Sequence, residues 1–239
     1  MTQTIETAVI LAAGRGTRLQ PYTFDIPKGF MQVGEEKLIE RSIRILKENG
    51  IKNIIIGTGH LHEHYEKFAK EHGLTTFLSP DYATTGSFHT LIYGSDLIKG
   101  DFLLLESDLL YHSDAIKSLI EAKAKDIILC SGFTESNDEV YVEVEDGRLK
   151  NLSKQKGELG SIDAELVGVW KISFDLLKKL KAHHKEAEDG SKKDYEMAIA
   201  KLSADHKVDV LKLDDLVWCE IDNQDHLERA KKQILPKLD

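Results

Sequence analysis

Apolar residues recur along this chain in two alternating rhythms. Residues 7–13 (TAVILAA), 53–59 (NIIIGTG) and 101–107 (DFLLLES) contain short, nearly continuous apolar runs, the pattern of strands covered on both faces. Between such runs the apolar positions fall every three or four residues. Residues 36–50 put Ile39, Ile43 and Leu46 on one helical face, with Gly50 as a C-terminal stop. Residues 61–72 and 87–98 read as two further helices, residues 74–79 (LTTFLS) as a third strand, and residues 101–107 as a fourth, central one. This alternation predicts an α/β layered fold around a mostly parallel sheet.

From residue 126 the rhythm changes. It predicts a strand over 126–132, a hairpin over 139–154 that turns at Asp146 and Gly147, and another strand over 164–172. Helices around 174–184 and 193–202, strands over 208–213 and 216–221, and a last helix from Asn223 complete the pattern. Neither an internal repeat nor a low-complexity linker interrupts it.

The segment that follows the first strand, LAAGRGTRLQPYTFDIPKGF (residues 11–30), carries the most chemistry. Gly14 and Gly16 remove the Cβ atoms that would keep backbone N–H groups from phosphate oxygens, and Arg15, Arg18 and Lys28 bring positive charge to the same mouth. The segment lacks the GK[ST] ending of a P-loop and the third glycine of a dinucleotide fingerprint. A bare GRG would be equally consistent with an ordinary turn. The whole string GxGTRLxP followed by PK resembles the signature of the nucleotidyltransferases that make sugar and alcohol pyrophosphate conjugates from an NTP. The resemblance implies a Rossmann-like three-layer nucleotidyltransferase fold with a mostly parallel mixed central sheet. It also implies nucleotide-binding roles for Leu11, Ala12, Ala13, Gly14 and Gly16, and catalytic roles for Arg18 and Lys28. Residues 1–239 are then expected to form a single domain, with about 1–125 as the nucleotide-binding half and 126–239 as the acceptor half.

Nucleotidyl transfer brings two anions together and calls for a divalent cation. Asp108 follows the fourth strand, where parallel strands open onto the ligand crevice of α/β proteins, and Asp222 follows the last strand. The family resemblance implies a metal-binding aspartate at each place, the second within IDNQDHLERA (residues 221–230). By local composition alone, Asp108 reads as a solvated turn residue and Asp222 equally as a helix cap with Asp225 three positions on; their pairing within the family pattern carries the metal reading. Oxygen ligands without a neighbouring Cys or His cluster point to Mg²⁺. The alternating His60, His62 and His64 lack the HExxH arrangement and read as surface.

Acceptor specificity is expected to follow two departures from the sugar-nucleotide pattern. TTGSFHTL (residues 84–91) stands where GTAGAL is usual, and Ser153, Lys154 and Gln155 stand where the motif EKP is usual. Both make the chain similar to the branch that uses CTP to activate phosphocholine or 2-aminoethylphosphonate. That likeness implies Gly86 and Ser87 against the nucleobase and Lys154 on the acceptor's anion. Asp194, Tyr195 and Glu196 are candidates for the acceptor's cation, with Trp170 as an aromatic neighbour. A primary ammonium requires carboxylate acceptors whereas a quaternary one prefers an aromatic cage, so the carboxylates favour 2-aminoethylphosphonate. The expected activity is transfer of CMP from CTP with release of pyrophosphate. Phosphocholine, a sugar-1-phosphate with UTP or dTTP, and a non-catalytic nucleotide-binding module are the alternatives.

Composition narrows the partners. A chain of 239 residues with 41% hydrophobic content can bury one substantial core. A net charge of -9 without a basic block excludes a nucleic-acid or anionic-membrane surface, and leaves homo-oligomerisation open. Cys130 and Cys219 lie in apolar runs, too far apart for a zinc ribbon, and read as structural. The opening MTQTIET has no basic or apolar leader and no run suits a membrane helix, so a cytoplasmic location is expected.

Overall fold

A computed structural model describes residues 5–136, 138–186 and 192–238; residues 1–4, part of the opening expected to lack a leader, lie outside them. Strand β1 (Thr7–Ala12) ends at the glycine-rich segment, whose 3₁₀ turns span Thr17–Leu19 and Lys28–Phe30. A small hairpin, β2 (Gln32–Val33) and β3 (Glu36–Lys37), leads into α1 (Leu38–Glu48). Then come β4 (Asn53–Thr58), α2 (His62–His72), β5 (Thr75–Leu78), α3 (Ser87–Tyr93) and β6 (Phe102–Glu106). The next elements are β7 (Leu109–Tyr111), α4 (Asp114–Glu121), β8 (Ile127–Ser131), the hairpin β9 (Tyr141–Glu145) and β10 (Arg148–Ser153), and β11 (Ala164–Ile172). Helices α5 (Phe174–Glu186) and α6 (Tyr195–Leu202), strands β12 (Asp209–Leu213) and β13 (Trp218–Glu220), and α7 (Gln224–Arg229) complete the order.

Nine strands form one mixed sheet in the order β5-β4-β1-β6-β11-β8-β12-β10-β9. The strands β5, β4, β1 and β6 are parallel, as their crossover helices require. Beyond β6 the antiparallel β11 reverses the direction, β8 and β12 are parallel to each other, and the β9–β10 hairpin closes the edge. Thus the parallel character belongs mainly to the first half, and in the second half the antiparallel pairings of β11 and of the β9–β10 hairpin outnumber the parallel β8–β12 pair. Period-two alternation of side chains assigns the two faces: Ala8 and Ile10 pack towards α1, α2 and α4, while Val9 and Leu11 pack towards α3, α5 and α6. These are the three expected layers. The pattern missed β2, β3 and β7, which are only two or three residues long, too short for a periodicity. It also ran α3 on to residue 98, whereas the helix stops at Gly94 and a separate 3₁₀ turn spans Ser95–Leu97.

A third apolar cluster fixes the site. Leu19, Met31, Leu38, Leu110, Cys219, Ile221 and Leu227 pack together, joining the glycine-rich segment to β7, β13 and the C-terminal helix. Strands β7 and β13 pair antiparallel, Glu220 opposite Leu109, and the Ile221 N–H donates to the Asp108 carbonyl at 3.1 Å. Both cysteines are buried and free. No helix among the described residues is long and apolar enough to cross a membrane.

Candidate active site

Two adjoining cavities open at the C-terminal ends of β1 and β6 and share Ser87, Glu106 and Asp194. Every residue expected at the nucleotide lines the first: Leu11, Ala12, Ala13, Gly14, Gly16, Gly86 and Ser87, together with Lys28 and Asp108. Gly16 adopts a left-handed φ of 59° before the 3₁₀ turn, and its carbonyl accepts from Thr23 Oγ1 at 2.7 Å, which fixes the loop. Gly86 is required by close approach, since a Cβ there would lie 2.3 Å from the Lys193 carbonyl oxygen. Across that contact Ser87 Oγ donates to Asp194 Oδ1 at 3.0 Å, so the start of α3 is tied to the start of α6.

Lys28 lies where the two cavities approach each other. Its Nζ donates to Asp108 Oδ2 at 2.5 Å and to Asp222 Oδ1. Asp222 Oδ2 also meets Arg18 Nη2 at 2.7 Å. Burial alone would lower the Lys28 pKa, but Asp108, Asp222 and Glu220 hold it well above the ordinary lysine value. Burial would likewise raise the Asp222 carboxyl, yet Lys28, a hydrogen bond from Glu220 and Arg18 keep it far below the usual range. Asp222 does not cap α7: Asn223 does, accepting from the His226 N–H at 2.9 Å.

Sequence reasoning passed over Glu220. It offers a third oxygen with Asp108 and Asp222, all within 4.8 Å of one another. The signal was the spacing E-x-D, which puts two carboxylates on one face of an extended chain. Burial, then Asp108 and Asp222, push the Glu220 carboxyl well above its ordinary value. Asp108 Oδ1 is buried without a hydrogen-bond partner. Three hard oxygens, one of them unsatisfied, suit a divalent cation of the Mg²⁺ or Ca²⁺ type.

The second cavity gathers Arg18, Lys154, Asp194, Tyr195 and Glu196, all expected near the reaction or the acceptor. Lys154 Nζ and Arg18 Nη1 both donate to Asp138, at 2.7 and 2.6 Å. Carboxylates line the cavity as well. Burial and Asp194 push the Glu196 carboxyl up to about 7, and burial, Asp108 and Glu196 raise Glu106 above its ordinary value. Glu106 was another residue the sequence did not single out, because it reads as the last position of a core strand. The expectation for Trp170 is corrected: it is 1% exposed, packs edge-on to Tyr195 in the core, and lines neither cavity. Gly168 has a φ of 82° and the register of β11 with β8 shifts beside it, but the alternation of faces runs on, and Trp170 shares the α6 side with Leu166 and Ile172.

Residues 8–168 match the MobA-like NTP transferase domain, and the chain belongs to that family. Over 233 residues it is 26% identical to the bifunctional IPC transferase and DIPP synthase of Aquifex aeolicus, covering 97% of this chain and 52% of that protein. Over 250 residues it is 26% identical to the CTP:phosphoglutamine cytidylyltransferase of Campylobacter jejuni, covering 92% and 97%. A shorter match of 97 residues is 37% identical to the choline-phosphate cytidylyltransferase of Streptococcus pneumoniae, covering 41% and 42%. The chain thus spans about half the length of the bifunctional relative. Two solved structures share the fold: the inositol-1-phosphate CTP transferase from T. maritima (TM-score 0.81, 18% identity, 98% of this chain and 99% of that one) and the CTP:phosphocholine cytidylyltransferase from Streptococcus pneumoniae (TM-score 0.79, 21% identity, 95% and 99%).

Proposed function

We propose that this MobA-like NTP transferase moves CMP from CTP to a small phosphorylated or phosphonylated acceptor that carries an amine, with 2-aminoethylphosphonate as the acceptor of choice. One observation carries the reading. The second cavity is lined by cations, Arg18 and Lys154, and by carboxylates that include Asp194, Glu196 and Glu106, groups of both signs that can meet an anion and an ammonium on one short molecule. The choice of CTP is supported by relatives and fold neighbours named for it and by Gly86 and Ser87 on the wall of the first cavity.

In this reading Gly14 and Gly16 present backbone N–H groups to the triphosphate, and the acceptor oxygen attacks the α-phosphorus in line. A new P–O bond forms, the bond to the β-phosphate oxygen breaks, and pyrophosphate leaves. The attacking oxygen is already ionised, so no general base is needed. Lys28 stabilises the charge that grows on the α-phosphate. Asp108, Glu220 and Asp222 would hold Mg²⁺, which supplies positive charge between the two anions.

A quaternary ammonium suits this cavity less well. With Trp170 in the core, Tyr195 and Trp218 are the aromatic side chains lining it among the described residues, too few for a cage. A polyol phosphate remains a second reading, because carboxylates also accept from hydroxyl groups and a fold neighbour is named for inositol-1-phosphate. The test is pyrophosphate release with Mg²⁺, using CTP, UTP, dTTP and ATP against 2-aminoethylphosphonate, phosphocholine, inositol-1-phosphate and glucose-1-phosphate. Turnover confined to CTP with 2-aminoethylphosphonate is expected. Preference for UTP or dTTP with the sugar phosphate would overturn the base and acceptor readings together, and no turnover with any pair would favour a nucleotide-binding module.

A further inference from the structure

The mechanism leaves Asp138 without a task, although its carboxylate sits in the middle of the acceptor cavity's positive charge. Its Oδ2 accepts from Arg18 Nη1 at 2.6 Å and its Oδ1 from Lys154 Nζ at 2.7 Å, so one carboxylate spans both cations. A third cation in this wall, Arg229, is directed to the Thr134 carbonyl. Asp138 lies on the connection between β8 and β9. That connection is anchored before it by the Thr134 N–H on Glu165, at 2.8 Å, and after it by the Val140 carbonyl, which accepts from the Leu166 N–H at 2.9 Å.

A phosphate or phosphonate needs the same two donors. It is tetrahedral, presents three oxygens, and at neutral pH carries more charge than a carboxylate. We propose that Asp138 is a built-in competitor for the acceptor's anionic group, occupying Arg18 and Lys154 until a more highly charged anion displaces it. The inference rests on the assignment of Arg18 and Lys154 to the acceptor. It makes Asp138 a specificity determinant: a dianionic phosphonate outcompetes it, whereas a singly charged carboxylate acceptor holds no advantage over it. It also fixes the two cations about 5 Å apart, the span of two hydrogen bonds to one carboxylate, before the acceptor arrives.

The test is calorimetric titration of methylphosphonate, an anion without an amine, into the wild-type protein, Asp138→Asn and Asp138→Ala. Two surface-type ion pairs are released, so both variants should bind about five- to thirtyfold more tightly, and the gain should vanish in Asp138→Asn/Lys154→Met. The KM for the acceptor should fall by the same factor. Binding that is unchanged, weaker or undetectable in Asp138→Asn would overturn the proposal and make Asp138 a positioning residue for Arg18 and Lys154. The titration needs no turnover, so a wild-type protein that releases no pyrophosphate would count against the proposed reaction while the methylphosphonate result still decides the role of Asp138.

Discussion

Replacing Lys28 by methionine keeps most of the side-chain volume and removes one positive charge from between Asp108, Asp222 and Glu220. Water screens this junction little, for the Lys28 side chain is 14% exposed and those of Asp108 and Asp222 are 12% and 6% exposed. Breaking a buried ion pair from one side costs about 3–5 kcal/mol, because the partner charge is left behind. Arg18 still faces Asp222, so the lower end, about 3 kcal/mol, applies here. In a chain of this size each kcal/mol moves Tm by about 2–4 °C, giving a fall of about 6–12 °C in thermal melting with EDTA present. Mg²⁺ should then raise the Tm of Lys28→Met more than that of the wild type, since the ion restores positive charge that Lys28 already supplies in the latter. Turnover should remain about 10²- to 10³-fold lower even in saturating Mg²⁺, the usual effect of losing one donor to the transition-state charge. The pH dependence has a defined sign. Asp222 is held below its ordinary value of 3.8 in the folded wild type, so its stabilisation is present above about pH 4 and is lost on acidification. The gap between wild type and variant should therefore narrow below that pH. A variant that melts within about a degree of the wild type in EDTA, or an equal Mg²⁺ shift in both proteins, would refute the junction as described.

Three further outcomes are expected. With an amine-bearing acceptor, KM should fall about tenfold as pH rises through about 7, where Glu196 ionises, and Glu196→Gln should flatten that profile; an identical profile in the variant would remove Glu196 from the acceptor site. Because the folded value lies above the ordinary 4.5, the contribution of Glu196 to stability is present at low pH and lost as pH rises from about 4.5 towards 7, and melting curves of the same variant should lack that loss. Gly86→Ala should destabilise by about 1–3 kcal/mol and raise the KM for CTP, because the new Cβ drives α3 from the Lys193 carbonyl; a wild-type KM for CTP would mean that the wall of the first cavity tolerates that shift. Trp170→Phe should lower Tm and leave the acceptor KM unchanged, since Trp170 lies in the core, and a raised KM would reinstate the aromatic contact.

What could be read from the sequence was whatever one segment of chain encodes by itself. Gly14, Gly16 and Lys28 share a single strand-to-turn segment, so their meeting at one cavity follows from local geometry, and the alternation within β1 assigns its two faces without further information. The orientation of the second half was legible only in part. The hairpin turn at Asp146 and Gly147 is a local signal, but the antiparallel placing of β11 between β6 and β8 depends on which edge the chain returns to. The same limit governs the site. Glu220 reaches Asp108 because β13 pairs with the three-residue β7, which is too short to leave a pattern.

Asp138 and Trp170 mark the harder boundary, and for opposite reasons. Asp138 is an acidic residue in a polar connection, chemically indistinguishable in sequence from a solvated one, and only the folding of two distant segments brings Arg18 and Lys154 to it. Trp170 lies in a strand near a plausible substrate, yet the alternation of β11 puts it with Leu166 and Ile172 on the side of α6, and it lines neither cavity. The weight of Asp138 depends on which distant segments meet it, and that of Trp170 on which face of the sheet its place in β11 takes. The second cavity, built from distant segments, is therefore where specificity has to be measured, whereas the first draws Gly14, Gly16 and Lys28 from a single loop.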